Sequence, residues 1–210
     1  AILGSLITGF LFLPRLGVQQ SLLLVATLNL LMMMYLFRTG DYFTKTLRKM
    51  MTVVLAGVIL VVNMGFPSDL LDRFFMRDST GQKDIRKLLY FEEGLTDTVA
   101  VFKDNYGALD PDAMRLVTNG VSMSAVNFIA SRYMKLLAHL PIMLVDNPEE
   151  VLVVCFGTGQ TTGAAAIHPK VKAVDSVDLS GSVVRAGNVF SSQNYNALKN
   201  EKVNIILEDG

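Results

Sequence analysis

Apolar residues crowd the first third of the chain in runs that show no polar side. Ala1 to Pro14 carries no charge, and a second uncharged run, Leu16 to Phe37, is bounded by Arg15 and Arg38. At about 1.5 Å per residue the second run reaches about 33 Å, enough to cross a bilayer. Met50 to Ser68 is a third run, in which no polar residue interrupts Val53 to Val62; it reaches roughly 28 Å. Core helices of soluble proteins keep a polar stripe, and these runs do not. Residues 1–68 are therefore predicted to be transmembrane helices, about three, the first of them clipped. A secretory signal accounts for the first run alone, but two more follow it. Arg38, Lys45, Arg48 and Lys49 lie between the second and third runs, with Arg15, Arg73, Arg77, Lys83 and Arg86 on the other side, so basic residues set no orientation.

Beyond Pro67 the pattern becomes mixed and charged, and residues 69–87 read as a linker or amphipathic juxtamembrane segment. Residues 88–146 are predicted as a small β region followed by one helix. Leu88 to Glu92 and Thr98 to Phe102 make strands around a turn-rich Glu93 to Asp97, and Arg115 to Thr118 makes a third. Asn119-Gly120 supplies a tight hairpin turn. From Ala125 to Leu140 apolar residues return at helical spacing, at Ile129, Tyr133, Leu136, Leu137 and Leu140, and Pro141 closes the run.

Residues 147–210 are predicted as a Rossmann-like domain, incomplete at its C-terminus. Asn147 to Glu150 breaks the preceding helix, and Val151 to Phe156 is the continuous apolar run expected of a central parallel strand. Gly157-Thr158-Gly159 follows at once, with Gly163 and a helix of small residues, Thr161 to Ile167, behind it. Glycines suit a sharp strand-to-helix bend and let a ligand approach bare backbone at the helix's positive end. A bare βα turn produces the same pattern, so the following strands decide. Val171 to Asp178 reads as a second strand ending in an acid placed to accept hydrogen bonds from the vicinal hydroxyls of a ribose. Asp175 sits too early in that strand and reads as structural or exposed. A helix from Ser180 to about Tyr195, capped by Ser180, leads to a third strand, Val203 to Leu207, and then to Glu208-Asp209-Gly210. Asp209 is placed to accept from the exocyclic amine of adenine, and Gly210 lets the chain turn beneath the ring. Three successive strand ends thus specify a nucleoside.

Composition narrows the field further. The chain is 51% apolar and 18% charged, with a mean hydropathy of +0.40, which fits neither a disordered chain nor an average soluble globule. Lys plus Arg and Asp plus Glu are both 19, so no bulk charge favours nucleic acid. Cys155 is the single cysteine and reads as a small core residue; His139 and His168 are the only histidines and show no metal-site spacing. His139 reads as a packing residue and His168 as a turn residue. Glu92 and Glu93 are adjacent on a strand and point to opposite faces, so they cannot converge for acid–base work.

These residues resemble the polyamine aminopropyltransferase (spermidine synthase) family, in particular its bacterial members fused behind membrane helices. The resemblance runs from about Leu88 to Gly210 and rests on Tyr90-Phe91-Glu92-Glu93-Gly94 with Thr98-Val99-Ala100-Val101, Thr118-Asn119-Gly120, Tyr133 with Ala138-His139-Leu140-Pro141, Gly157-Thr158-Gly159, Asp178 and Asp209-Gly210. It implies transmembrane α-helices followed by an α/β unit, a small N-terminal β region plus a Rossmann-like, class I methyltransferase-like domain. It implies transfer of an aminopropyl group from decarboxylated S-adenosylmethionine to an amine acceptor, with no metal. Gly157, Thr158, Gly159, Asp178, Asp209 and Gly210 fall on cofactor positions of the family, and Tyr133 falls near its amine pocket. Thr158 stands where well-studied members carry an Asp, and Ile129, Ala130 and Lys135 stand where their preceding helix carries acids. Met134 stands where a polar amine contact is expected. The family's catalytic Asp falls beyond Gly210, so this stretch by itself is expected to be inactive. The expected location is the inner (cell) membrane with the catalytic domain in the cytoplasm, and family members commonly form homo-oligomers. Two alternatives stay open: an S-adenosylmethionine-dependent methyltransferase, and a non-catalytic nucleoside-binding membrane protein.

Overall fold

The computed structural model describes residues 2–40, 44–65, 87–94, 97–104 and 110–209. Of the linker expected at 69–87, only Lys87 falls among them, and it belongs to the first strand. The chain divides into two compact units, Ala1–Phe75 and Met76–Gly210.

The first unit is helical: α1 (Ile2–Ile7), a π-type turn (Thr8–Phe12), α2 (Leu13–Thr39) and α3 (Lys45–Gly65). Pro14 sits in the first turn of α2, directly after the π-type turn, and Gly17 breaks the helix locally with φ 76°. Two stretches, Arg15–Thr39 and Lys45–Gly65, are long and apolar enough to cross a membrane, each with mean hydropathy 1.7. The first apolar run, expected as a clipped span, is a shorter apolar helix, Ile2–Phe12. Among the described residues of this unit only Ser21 and Leu55 are buried. The helices are tied by a side-chain bond, Asn63 Nδ2 donating to Thr27 Oγ1 at 3.0 Å, and Arg48 Nη1 donates to the Gly40 carbonyl at 3.3 Å near the end of α2.

In the second unit β1 (Lys87–Glu93), β2 (Thr98–Lys103), β3 (Met114–Thr118) and β4 (Val121–Val126) form an antiparallel sheet in the order β1-β2-β3-β4. Asn119 and Gly120 both have positive φ, 51° and 81°, as a two-residue hairpin with the right twist requires. Asn119 also accepts from the Thr98 amide through Oδ1 at 2.9 Å, pinning the turn to β2. Helix α4 (Phe128–Leu144) starts later than its apolar spacing suggests, because β4 extends through Val126 and Asn127 caps the helix, its Oδ1 accepting from Ala130 N at 2.8 Å. Pro141 lies inside α4 rather than closing it. Only the last turn follows that proline, so a single lost backbone bond is confined to the fraying end.

Strands β5 (Glu150–Val154), β6 (Ala173–Val177) and β7 (Val203–Ile206) form a parallel sheet in the order β5-β6-β7, with α5 (Gln160–Ala166) and α6 (Gly181–Ala186) as connections. β5, expected to be central, is an edge strand among the described residues. The helix expected from Ser180 to Tyr195 is broken: α6 passes into a 3-10 turn, Gly187–Phe190, and Tyr195 and Asn196 take left-handed backbone at φ 56° and 54°. Val153, Val171 and Val174 pack with Ala164, Ala165 and Ala166 of α5 and with Ala138 and Ile142 of α4. A second core joins the antiparallel sheet to α6 and the turn after it, with Val99, Val101, Met114, Leu116 and Val126 against Val183, Ala186 and Phe190. Full burial of a side chain the size of Phe190 contributes about 1.5–3 kcal/mol.

Candidate functional site

The bend after β5 is held by backbone and by one carboxylate. Cys155 N donates to the Val177 carbonyl at 2.8 Å, extending the sheet by a residue, and Gly159 N donates to the Phe156 carbonyl at 2.8 Å. Between them Phe156 N donates to Asp178 Oδ2 at 2.8 Å, while Asp178 Oδ1 accepts from Ser180 N at 2.9 Å. Asp178 thus ties the glycine bend to the start of α6, where Ser180 Oγ accepts from Val183 N at 3.0 Å. Each carboxylate oxygen has a second lone pair, so the same group can still accept from ligand hydroxyls. Asp209 lies exposed beyond β7, whose Ile206 carbonyl accepts from Asp178 N at 3.0 Å. Gly210 lies outside the described residues. Asp175 is exposed and accepts from Asn204 Nδ2 at 3.0 Å, a contact within the sheet.

The glycines of the bend differ in what they leave open. A Cβ on Gly157 would meet only Ser124, at 3.6 Å, an ordinary contact, so bare backbone with φ 56° faces usable space. On Gly159 it would strike the Phe156 ring at 2.6 Å and Asn194 Nδ2 at 2.9 Å, and on Gly163 it would lie 1.9 Å from the Asn194 carbonyl oxygen. Gly159 and Gly163 therefore serve packing inside the protein rather than ligand approach. Gly157, beside the Phe156 amide that Asp178 holds, is the glycine of the bend whose backbone stays open to approach.

The other expected residues separate. Thr158 is buried, its Oγ1 accepting from Gln160 Nε2 at 3.2 Å and lying 3.4 Å from Ser124 Oγ. Tyr133 is 59% exposed and lines a groove of about 500 Å³ with Ile129, Arg132, Leu136, Leu137 and Leu140. Its neighbour Met134 is the residue of α4 whose sulfur reaches the bend, 3.6 Å from Thr158 Oγ1. Lys135 is held over the Tyr195 ring, with Nζ 4.7 Å from its centroid. Cys155, expected in the core, is exposed and takes a left-handed φ of 71°, which costs a non-glycine residue about 1–2 kcal/mol.

Two supports were not foreseen. Asn194 is buried, with Nδ2 donating to the carbonyls of Thr158 at 3.1 Å and Gly187 at 2.9 Å, and Oδ1 accepting from Ala197 N at 3.2 Å. It clamps the bend to the turn after α6. Glu92 on β1 pairs with Arg185 on α6, accepts from Ser182 Oγ at 3.3 Å, and is bonded by the Tyr90 hydroxyl. The Arg185 hydrogen bonds hold the Glu92 carboxyl below its usual range, while burial and the neighbouring Glu92 push Tyr90 up to about 12.

This architecture is a Rossmann-like α/β fold of the spermidine synthase type. It aligns with the crystal structure of spermidine synthase from Thermotoga maritima at a TM-score of 0.52 and 21% identity, covering 60% of this chain and 43% of that one. It aligns equally with a spermidine synthase solved in complex with the transition state analogue AdoDATO, at a TM-score of 0.51 and 21% identity, over 60% and 41% of the two chains. At that identity the likeness establishes the fold. In sequence, residues 130–210 match the spermine/spermidine synthase domain. The polyamine aminopropyltransferase of Methanocaldococcus jannaschii is 36% identical over 78 residues, which cover 37% of this chain and 27% of the relative. That of Oceanobacillus iheyensis is 27% identical over 214 residues, covering 97% of this chain and 38% of the relative. The matched relatives are transferases, and the chain spans well under half of their length.

Proposed function

We propose that this chain forms part of a membrane-anchored aminopropyltransferase that uses decarboxylated S-adenosylmethionine and an amine acceptor. The observation that carries the reading is the Asp178 carboxylate bonded to Phe156 N beneath the open face of Gly157, within a synthase domain. Ribose hydroxyls share the Asp178 oxygens, Gly157 admits the nucleoside to bare backbone, and the exposed Asp209 accepts from the adenine amine. The sulfonium is already a good leaving group. The acceptor nitrogen forms a bond to the propyl carbon as the carbon–sulfur bond breaks, the amine gives up a proton, and methylthioadenosine departs. The protein's task is to position the two reactants and receive that proton.

Anchoring is supported by the two stretches long and apolar enough to cross a membrane. The α/β unit faces the cytoplasm of a cell (inner) membrane in this reading, where its soluble co-substrate is found. Titration calorimetry on the detergent-solubilised chain tests the nucleoside site: methylthioadenosine binds the natural chain, and Asp178→Ala weakens it at least tenfold. Equal affinity in the variant removes Asp178 from the site.

A further inference from the structure

Four side chains meet beside Gly157: Ser124 from β4, Met134 from α4, Thr158 in the bend and Gln160 at the head of α5. Ser124 Oγ and Thr158 Oγ1 each lie 3.6 Å from Met134 Sδ and 3.4 Å from one another. Gln160 Nε2 donates to Thr158 Oγ1 and to the Ala125 carbonyl, both at 3.2 Å. All four side chains are uncharged, and they are unevenly satisfied. Gln160 is fully buried and its Oε1 has no hydrogen-bond partner. Leaving such an oxygen without a donor costs about 1–3 kcal/mol, so the cluster is one donor short. Its two hydroxyls, for their part, are directed at a thioether sulfur, a weak acceptor they can readily abandon.

We propose that this cluster receives a zwitterionic amino-acid tail, so that intact S-adenosylmethionine binds at least as tightly as the decarboxylated form. The inference rests on the nucleoside site proposed above, with the tail passing Gly157 towards Ser124. An α-ammonium supplies the donor that Gln160 Oε1 lacks. The α-carboxylate accepts from the Ser124 and Thr158 hydroxyls as they turn from the sulfur. A tail bearing only an ammonium brings an uncompensated charge into neutral, half-buried to buried surroundings, and burying an unpaired charge is expensive. The amino-acid tail carries its own counter-ion. An acid in the cluster would reverse the preference by pairing with the ammonium and repelling the carboxylate. Intact S-adenosylmethionine therefore competes with its decarboxylated derivative for this protein.

The test is titration calorimetry on the full chain in detergent with three ligands: S-adenosylmethionine, its decarboxylated form, and methylthioadenosine, which has no charged tail. The expected result is a Kd for the intact compound equal to or below that for the decarboxylated one. A preference of more than threefold for the decarboxylated compound overturns the inference and leaves the nucleoside site standing. Binding of methylthioadenosine alone does the same. Failure of all three ligands overturns the nucleoside site itself. Ser124→Asp, at a half-buried position that tolerates a charge better than Thr158, is expected to move the affinity ratio at least tenfold towards the decarboxylated compound. An unchanged ratio in a variant that still binds methylthioadenosine shows that the tail lies elsewhere and overturns the inference.

Discussion

The helical unit and the α/β unit both draw on long apolar runs, and they place them oppositely. In α2 and α3, Leu22, Leu28, Met32, Leu60 and Val61 stand more than half exposed, whereas Val99, Val101, Leu116 and Phe190 of the α/β unit are 1% exposed or less. The α/β unit buries a core of its own, although Ile129 and Leu144 of α4 and Leu152 of β5 stay exposed, whereas the helical unit leaves nearly all of its apolar surface uncovered, which is what the proposed anchor would explain. Charge follows the same division. The described part of the helical unit contains no Asp or Glu, while the α/β unit places the Glu92–Arg185 pair at the junction of β1 and α6.

The contrast is most open to attack through the interior of the α/β unit. Phe190→Ala removes the fully buried ring that joins α6 to the antiparallel sheet, and is expected to cost about 3–5 kcal/mol in urea denaturation followed by tyrosine fluorescence. A loss under 1 kcal/mol means α6 and the antiparallel sheet are not held by that core. Next in size is Leu28→Lys in α2, which is expected to cost roughly 2.5–3.5 kcal/mol in membrane-insertion assays, while Leu179→Lys, at a comparably exposed position of the α/β unit, shifts stability by no more than about 0.5 kcal/mol. Equal, small effects at both positions remove the apolar phase from around α2.

The smallest effect sharpens the electrostatic difference. Glu92 titrates below its usual value in the folded unit, so its contribution is present above the unfolded value near 4.5 and is lost as pH falls through the folded one. Tyr90 titrates above its usual value of 10.0, so its contribution is present below that pH and is lost as pH rises towards about 12. Glu92→Gln is expected to cost about 0.5–1 kcal/mol at neutral pH and to flatten the acid limb of stability. The described helices of the first unit carry no Asp or Glu, so their helicity by circular dichroism is expected to persist across the acid range.

Legibility in the sequence followed the range over which each feature is determined. Asn119-Gly120 and Gly157-Thr158-Gly159 announce positive-φ turns in two or three residues, and Asp178 follows from where a strand must end. The break after α6 was hidden. Gly187 and Phe190 read as helical, but Asn194 reaches the Thr158 carbonyl from 36 residues away, a tertiary bond that no periodicity records. The Glu92–Arg185 contact spans 93 residues and was invisible for the same reason. β4 was implied only by the Asn119-Gly120 turn: Val121-Ser122-Met123-Ser124-Ala125 alternates apolar and polar as a strand does, but the helical spacing of Ile129 and Tyr133 was carried back to Ala125. Tyr133 was chosen over Met134, yet a turn of about 100° per residue puts these neighbours on different faces, and only contacts distinguish which face meets the bend.

The Asp178 carboxylate gives the chain a reporter of its own. Two identifiable amide protons, on Phe156 and Ser180, share its two oxygens, and any sugar hydroxyl arriving there draws on the same electron density. Occupancy is then legible as paired shifts of those two resonances in an isotope-labelled sample, with nothing attached to the ligand and no turnover required.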